Sequence, residues 1–180
     1  GERALLEECL DGVELSIMVI TNGSDYFTMP MAQDHKRLGE GDLGPNTGGM
    51  GTLAPMHIPE DLLQTIDSKV VQPSVAHLSK MGLPFRGVLF IGLMVTSDGP
   101  FALEYNVRFG DPECQCLMMR LGGQILDLLL ACAEHRLDQA QVNWAADHAL
   151  TVVYAANGYP GAYEKGSVIK GLDDLPEDSK

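Results

Sequence analysis

The stretch Leu103-Glu104-Tyr105-Asn106-Val107-Arg108-Phe109-Gly110-Asp111-Pro112-Glu113 decides how the rest of the chain is read. It gathers three carboxylates, a carboxamide and a guanidinium directly after an apolar run that reads as a strand. Glu104 and Asn106 alternate along that strand, so both side chains leave the same face. An anionic and a neutral oxygen donor side by side suit a hard divalent cation such as Mg²⁺. Arg108 continues the alternation, within reach of a phosphate or carboxylate that the metal would also hold. The stretch therefore reads as a Mg²⁺-nucleotide site at a strand end.

Its flanks supply a scaffold. Upstream, residues 86–96 form a nearly continuous apolar run, as expected for a strand buried on both faces. Ser97-Asp98-Gly99-Pro100 turns it, and residues 101–106 return antiparallel. Downstream, Pro112 opens a helix from Glu113 to Leu121, with Asp111 in the N-cap position and Glu113 as a first-turn acid favoured by the helix dipole. A second helix is expected from Gln124 to His135, its leucine stripe facing the core. Cys114, Cys116, Met118 and Met119 read as packing residues.

Toward the N-terminus, Leu15 to Ile20 is a β-type run, Asn22-Gly23 a hairpin signal and Tyr26 to Met29 a partner strand. Glu14 stands at the strand start, either solvated or facing a ligand. Asp34-His35-Lys36-Arg37 carries the concentrated positive charge of an acidic chain and makes an anion-binding corner. Residues 39–51 then hold six glycines in thirteen positions. That composition implies positive φ angles or close backbone approach. The N–H groups from Thr47 to Gly51 are expected to form an anion-binding nest, with the Thr47 hydroxyl as a further donor. No Gly-Lys-Ser/Thr follows, so this is not a Walker A loop. From Pro59 to Met81 the periodicity is helical; Pro73 should kink or divide that helix, and Gly82 and Pro84 end it. After Trp144 a β-rich run and a Gly/Pro-rich loop suggest a domain change near residue 145.

Composition sets the outer limits. The chain has 180 residues, 25 Asp+Glu against 12 Lys+Arg, a net charge of −13 and a pI ≈ 4.6. Neither nucleic acid nor an anionic membrane surface is an expected partner for so acidic a surface. No apolar run reaches the length of a membrane span, and no signal peptide is read at the start. The four cysteines show no CxxC spacing and read as buried free thiols of a cytoplasmic protein. Both ends read as cut, which predicts a fragment.

Five segments in order resemble one family: residues 7–16, residues 33–37, residues 44–51, residues 104–113 and Gly158-Tyr159-Pro160-Gly161. The chain resembles glycinamide ribonucleotide synthetases (phosphoribosylamine–glycine ligases) of the ATP-grasp superfamily. The resemblance implies an α+β fold: residues 1–145 as the second half of an ATP-grasp unit, an antiparallel sheet with flanking helices, and residues 146–180 as the start of a small β-rich C-terminal domain. It also implies that ATP phosphorylates glycine and that 5-phosphoribosylamine attacks the glycyl phosphate. With ATP and Mg²⁺ (or Mn²⁺) as cofactors, Glu104 and Asn106 would hold the metal. Arg108 would clamp phosphate, and Asp111 would meet an amine, a task Asp34 shares. His35, Lys36, Arg37 and the loop Asn46, Thr47, Gly48, Gly49, Met50 and Gly51 would bind the substrates. Glu7, Glu8 and Leu10 would form the adenine-contacting hinge, with Glu14 near the ribose. The N-terminal half of the enzyme would be missing from this piece.

The chain departs from the family at Cys9, where an aromatic residue is usual, at Met119, usually proline, and at Gly122-Gly123-Gln124, usually lysine-serine-aspartate. Glu104-x-Asn106-x-Arg108 alone is shared across ATP-grasp enzymes. Two alternatives therefore stand: another ATP-grasp carboxylate–amine ligase, and a truncated non-catalytic binding module.

Overall fold

The computed structural model describes residues 3–174; the outermost residues of both expected cut ends, 1–2 and 175–180, lie outside the described residues. The strands are β1 (Val13–Thr21), β2 (Tyr26–Thr28), β3 (Gln33–Asp34), β4 (Arg37–Gly39), β5 (Leu43–Asn46), β6 (Gly51–Ala54), β7 (Gly87–Thr96), β8 (Gly99–Asn106) and β9 (Ala149–Val152). The helices are α1 (Glu60–Ile66), α2 (Gln72–Lys80), α3 (Glu113–Leu121) and α4 (Gln124–Ala133).

The central sheet has the order β2-β1-β7-β8, antiparallel throughout. Its inner strands are apolar without alternation because both faces are covered. On one face Leu15, Ile17, Val19, Leu89, Ile91 and Leu93 pack with Met31, Ile66, Val70 and Val71. On the other, Met18, Ile20 and Phe90 pack with Leu117, Leu121, Leu128 and Cys132. At roughly 25 cal/mol per Å² of apolar surface removed from water, these two cores dominate what holds the sheet.

The long helix beginning at Pro59 is divided, as Pro73 requires. A proline cannot donate to the carbonyl one turn back. The chain widens into a π-turn, Asp67–Val71, in which the Gln72 N–H reaches the Asp67 carbonyl. At the other end Gly82 takes φ +73°, and the Leu83 N–H returns to the Leu78 carbonyl at 3.1 Å.

A second sheet, β3-β6-β9, carries the loop region, and β4 pairs with β5 as a small hairpin. Gly51 to Ala54 pair with Ala149 to Val152. The run expected to open a new domain after residue 145 is thus hydrogen-bonded to residues far upstream of it. Cys116 on α3 seals this junction among Ala32, Ala54 and Ala149. Cys9 is exposed, so the reading of four buried thiols holds only for Cys116 and Cys132, with Cys114 half-buried. No single helix of the described residues is long and apolar enough to cross a membrane.

Candidate functional site

A β-bulge decides which way the opening stretch faces. Phe90, Ile91 and Gly92 pair with Asn106, Tyr105 and Glu104, whereas Leu93 pairs with Ala102, leaving Leu103 as the extra residue. Strand alternation alone would put Glu104 on the same side as Ala102. The bulge moves Glu104 and Asn106 to the face of Phe90, where α3 and α4 pack and the site lies. Gly92 leaves the space they need: a Cβ there would stand 3.1 Å from Glu104 Cγ.

Opposite them, β3 delivers Asp34. It is only 8% exposed, and its Oδ1 has no hydrogen-bond partner among the described residues. Burial, then the neighbouring Glu113 carboxylate, push its pKa up from 3.8 to about 7, against the opposing pull of Lys36. Lys36 forms an ion pair with Glu14 at the start of β1. Burial alone would lower the Lys36 pKa; the hydrogen bond to Glu14 and the carboxylates of Glu14, Glu104 and Asp34 outweigh it, and the value is raised.

Asp34 and Lys36 line two spaces. A narrow cavity of about 60 Å³ is lined by both of them with Glu104, Asn106, Arg108 and Glu113. A broader cleft of about 730 Å³ runs from them past Leu10, Glu14, His35, Arg37 and Asn46. Arg108 is exposed at the cavity edge and donates from Nη1 to the Phe109 carbonyl at 2.8 Å. Glu7 and Glu8 lie in exposed irregular chain outside both spaces.

The glycine loop behaves differently from expectation. The Thr47 N–H donates to the Lys36 carbonyl at 2.7 Å, and the Met50 N–H to that of His35 at 2.9 Å. The Gly48 N–H donates to Tyr159 Oη and the Gly49 N–H to Thr47 Oγ1, both at 3.0 Å. The Thr47 hydroxyl gives its own proton to the Lys36 carbonyl. The expected nest of free donors is therefore not formed. Main-chain pairing to residues 35 and 36 uses the donors to shape the loop instead. Gly49 serves a steric purpose, with φ +124° and no room for a Cβ, which would meet Asp34 Oδ1 at 2.8 Å and Pro112 Cδ at 2.7 Å. Among the cluster's basic residues, Arg37 is turned to the Gly44 carbonyl at 2.9 Å, and His35 Nδ1 lies 3.2 Å from that of Gly51.

Asp111 is not a helix cap. Pro112 is the N-cap residue, without a side-chain cap bond, and the exposed Asp111 accepts from Gln115 Nε2 at 2.9 Å. Sequence reasoning missed Glu113 as a site residue. It is 2% exposed and lines the narrow cavity rather than standing in solvent at the helix start. The available signal was Gly110 three residues earlier, where a Cβ would come within 2.4 Å of Glu113 Oε2. Tyr159 stood within one of the five family-like segments, but nothing local in the sequence announced that it reaches the loop across 111 positions.

Among the described residues no three His, Cys, Asp or Glu side chains form a metal-holding group. Glu104 and Asn106 instead offer one carboxylate and one carbonyl oxygen to a cavity. Such a pair fits Mg²⁺, which keeps waters and takes substrate oxygens for the rest of its shell.

Comparison with known proteins gives a consistent picture. The phosphoribosylglycinamide synthetase, ATP-grasp (A) domain family matches residues 1–114. The phosphoribosylamine–glycine ligase of Brucella melitensis is 49% identical over 177 residues, covering 97% of this chain and 41% of that protein. The ligase of the same name from Agrobacterium fabrum is 47% identical, covering 100% of this chain and 43% of that one. The chain thus spans well under half the length of these curated relatives. The crystal structure of a phosphoribosylamine–glycine ligase from Thermotoga maritima superposes with a TM-score of 0.78 at 38% identity, over 89% of this chain and 40% of that one.

Proposed function

The chain belongs to the phosphoribosylglycinamide synthetase ATP-grasp domain family, and on that premise we propose that it forms part of an ATP-dependent ligase joining glycine to 5-phosphoribosylamine in purine biosynthesis. Its fold is α+β of the ATP-grasp type. The observation that carries the reading is the convergence of Glu104, Asn106, Arg108, Asp34 and Lys36 on one narrow cavity. That set combines metal-type oxygen donors, cations for phosphate and a buried acid for an amine. Residues 1–145 would be the C-terminal part of the ATP-grasp unit and residues 146–180 the start of the next domain. The rest of the enzyme, its N-terminal half included, would lie in the remaining length of such ligases. The setting would be the cytoplasm.

Glu104 and Asn106 would hold Mg²⁺ (or Mn²⁺), which when bound neutralises charge on the ATP phosphates. Arg108 would turn from the Phe109 carbonyl to clamp the transferring phosphate. Lys36, with His35, Arg37 and the 46–51 loop shaping its surroundings, would hold the substrates' anionic groups. Asp111 at the rim would meet the amine of 5-phosphoribosylamine, with Asp34 sharing in amine recognition. Glu7, Glu8 and Leu10 would form the adenine-contacting hinge, and Glu14, tied to Lys36, would lie near the ribose. Once the glycine carboxylate carries phosphate, the incoming amine forms the C–N bond as the C–O bond to phosphate breaks. Neither step needs a covalent nucleophile from the chain.

The test uses the full-length protein. ADP release should require glycine and 5-phosphoribosylamine together; full turnover with another carboxylic acid, and none with glycine, overturns the proposal.

A further inference from the structure

We propose that Tyr159 is a positioning residue of the candidate site, its phenol clamping the glycine loop in place so that the segment after β9 helps to set the substrate-facing wall. For the substrates concerned, the assignment rests on the ligase reading above. Three of the four N–H groups from Thr47 to Met50 bond to residues 35, 36 and 47. That of Gly48 differs, because its acceptor, Tyr159 Oη at 3.0 Å, comes from beyond β9. Gly48 is exposed, so without the phenol this N–H would face water. The next residue is the one that covers Asp34: a Cβ at Gly49 would meet both carboxylate oxygens, at 2.8 and 2.9 Å. Gly48 also lines the narrow cavity, with Asp34, Lys36 and Glu104. The bond therefore acts on the cavity wall, one residue from the contact with the buried acid.

The turn that presents the phenol is braced from within. The Tyr159 N–H donates to the Ala156 carbonyl at 3.1 Å, and the Gly161 N–H to that of Gly158 at 2.9 Å. Gly158 takes φ +96°, and a Cβ there would stand 2.5 Å from the Ala162 carbonyl oxygen, so the turn closes tightly on itself. The Tyr163 ring meets that of Tyr159 edge-on, with centroids 5.7 Å apart. A side chain already ordered by its own turn gives up little freedom when it makes its bond. The same segment has a second hold on the loop, from the Val153 N–H to the Met50 carbonyl at 2.9 Å. Side chain and main chain from beyond β9 thus grip the loop on either side of Gly49. A cavity of about 260 Å³ lies there, lined by Gly48, Gly49, Asp111, Val153 and Tyr159, so the two grips also shape the space beside Asp111. Tyr159 acts on the reaction through Gly48 rather than on a reacting atom.

The test combines steady-state kinetics with amide hydrogen exchange by nuclear magnetic resonance on the full-length protein. Tyr159→Phe keeps the ring and its packing on Tyr163 and removes only the acceptor. It should raise the KM for glycine or 5-phosphoribosylamine by roughly 3- to 10-fold, the worth of one neutral hydrogen bond, and leave the KM for Mg-ATP and the melting temperature unchanged. Tyr163→Phe, which removes a hydroxyl from the neighbouring ring, should change none of these. In the wild type the Gly48 amide should exchange slowly despite its exposure, and in Tyr159→Phe it should exchange as an unbonded amide does. Unchanged KM values for both substrates in a folded Tyr159→Phe protein overturn the proposal. So does a rise in all KM values together with a lower melting temperature, which would make Tyr159 an ordinary packing residue. Should the variant not fold, fast exchange at Gly48 in the wild type overturns it independently. Lack of ligase turnover in the wild type would instead sink the ligase reading, and the exchange of Gly48 would still decide whether the clamp exists.

Discussion

Asp34 shows how far a single residue can depart from its behaviour in water. Its pKa of about 7 against the ordinary 3.8 arises first from burial and then from Glu113, with Glu14 adding and Lys36 and His35 opposing. The sign follows from linkage. Below pH 3.8 the carboxyl is protonated folded or unfolded, so its contribution is fully present. As pH rises toward 7 the unfolded chain releases the proton first, and stability is lost. Asp34→Asn keeps the shape and removes the penalty. In thermal melts of the full-length protein, the variant should gain on the wild type, on the order of a few kcal/mol, between pH 5 and 8, and converge with it in acid. A difference that does not vary with pH would refute this account. Gly49 makes the complementary case. Gly49→Ala forces a Cβ into Asp34 and Pro112 at a φ of +124° and should cost about 1–3 kcal/mol in denaturant titrations. The identities of both residues were legible in the sequence. Their burial was not, because it depends on Pro112 and Glu113 arriving from a distant helix.

At the scale of elements, local rules read well and pairings across the chain did not. Pro73 announced the division of the helix because a missing N–H is a local fact. The two-residue spacing of Glu104 and Asn106 correctly gave a shared face, yet which face was set by the bulge at Leu103, a matter of register with β7. The glycine loop was misread for a related reason: the N–H groups of Thr47, Gly48 and Met50 find their acceptors outside it, at the carbonyls of residues 35 and 36 and the hydroxyl of Tyr159, and only that of Gly49 stays local, on Thr47 Oγ1. The bulge yields its own prediction. Gly92→Val should leave the sheet intact, since valine suits an interior strand. Its side chain would grow into the space of Glu104 Cγ, 3.1 Å from the Cβ position. In the full-length enzyme the concentration of Mg²⁺ needed for half-maximal rate should rise, with little change in melting temperature. An unaltered Mg²⁺ dependence would detach Glu104 from the metal role.

For the molecule as a whole, the question is how the segment after residue 145 is tied to the sheets before it. β9 supplies one tie through its ladder with β6, continued by the Val153 N–H to the Met50 carbonyl at 2.9 Å. Arg120 supplies another. From within α3, 8% exposed, it donates from Nε to the Asp147 carbonyl at 3.0 Å and from Nη2 to that of Ala145 at 2.8 Å, and it lies 5.5 Å from the Trp144 ring. Among the described residues no carboxylate shares in this and the buried Nη1 has no partner, so the guanidinium is held by carbonyl dipoles and an aromatic face. A planar fork can serve two carbonyls at once, whereas an ammonium is a single point of charge. Arg120→Lys should therefore keep the charge yet release one of the two carbonyls, at a cost of about 1–3 kcal/mol. Because the carbonyls belong to the segment leading into β9, the loss should be local first. Hydrogen exchange at Ala145 and Val153 should quicken while that of β1 and β7 stays slow. Uniform exchange across all four would instead make Arg120 an ordinary core residue rather than the clasp between the two parts of the chain.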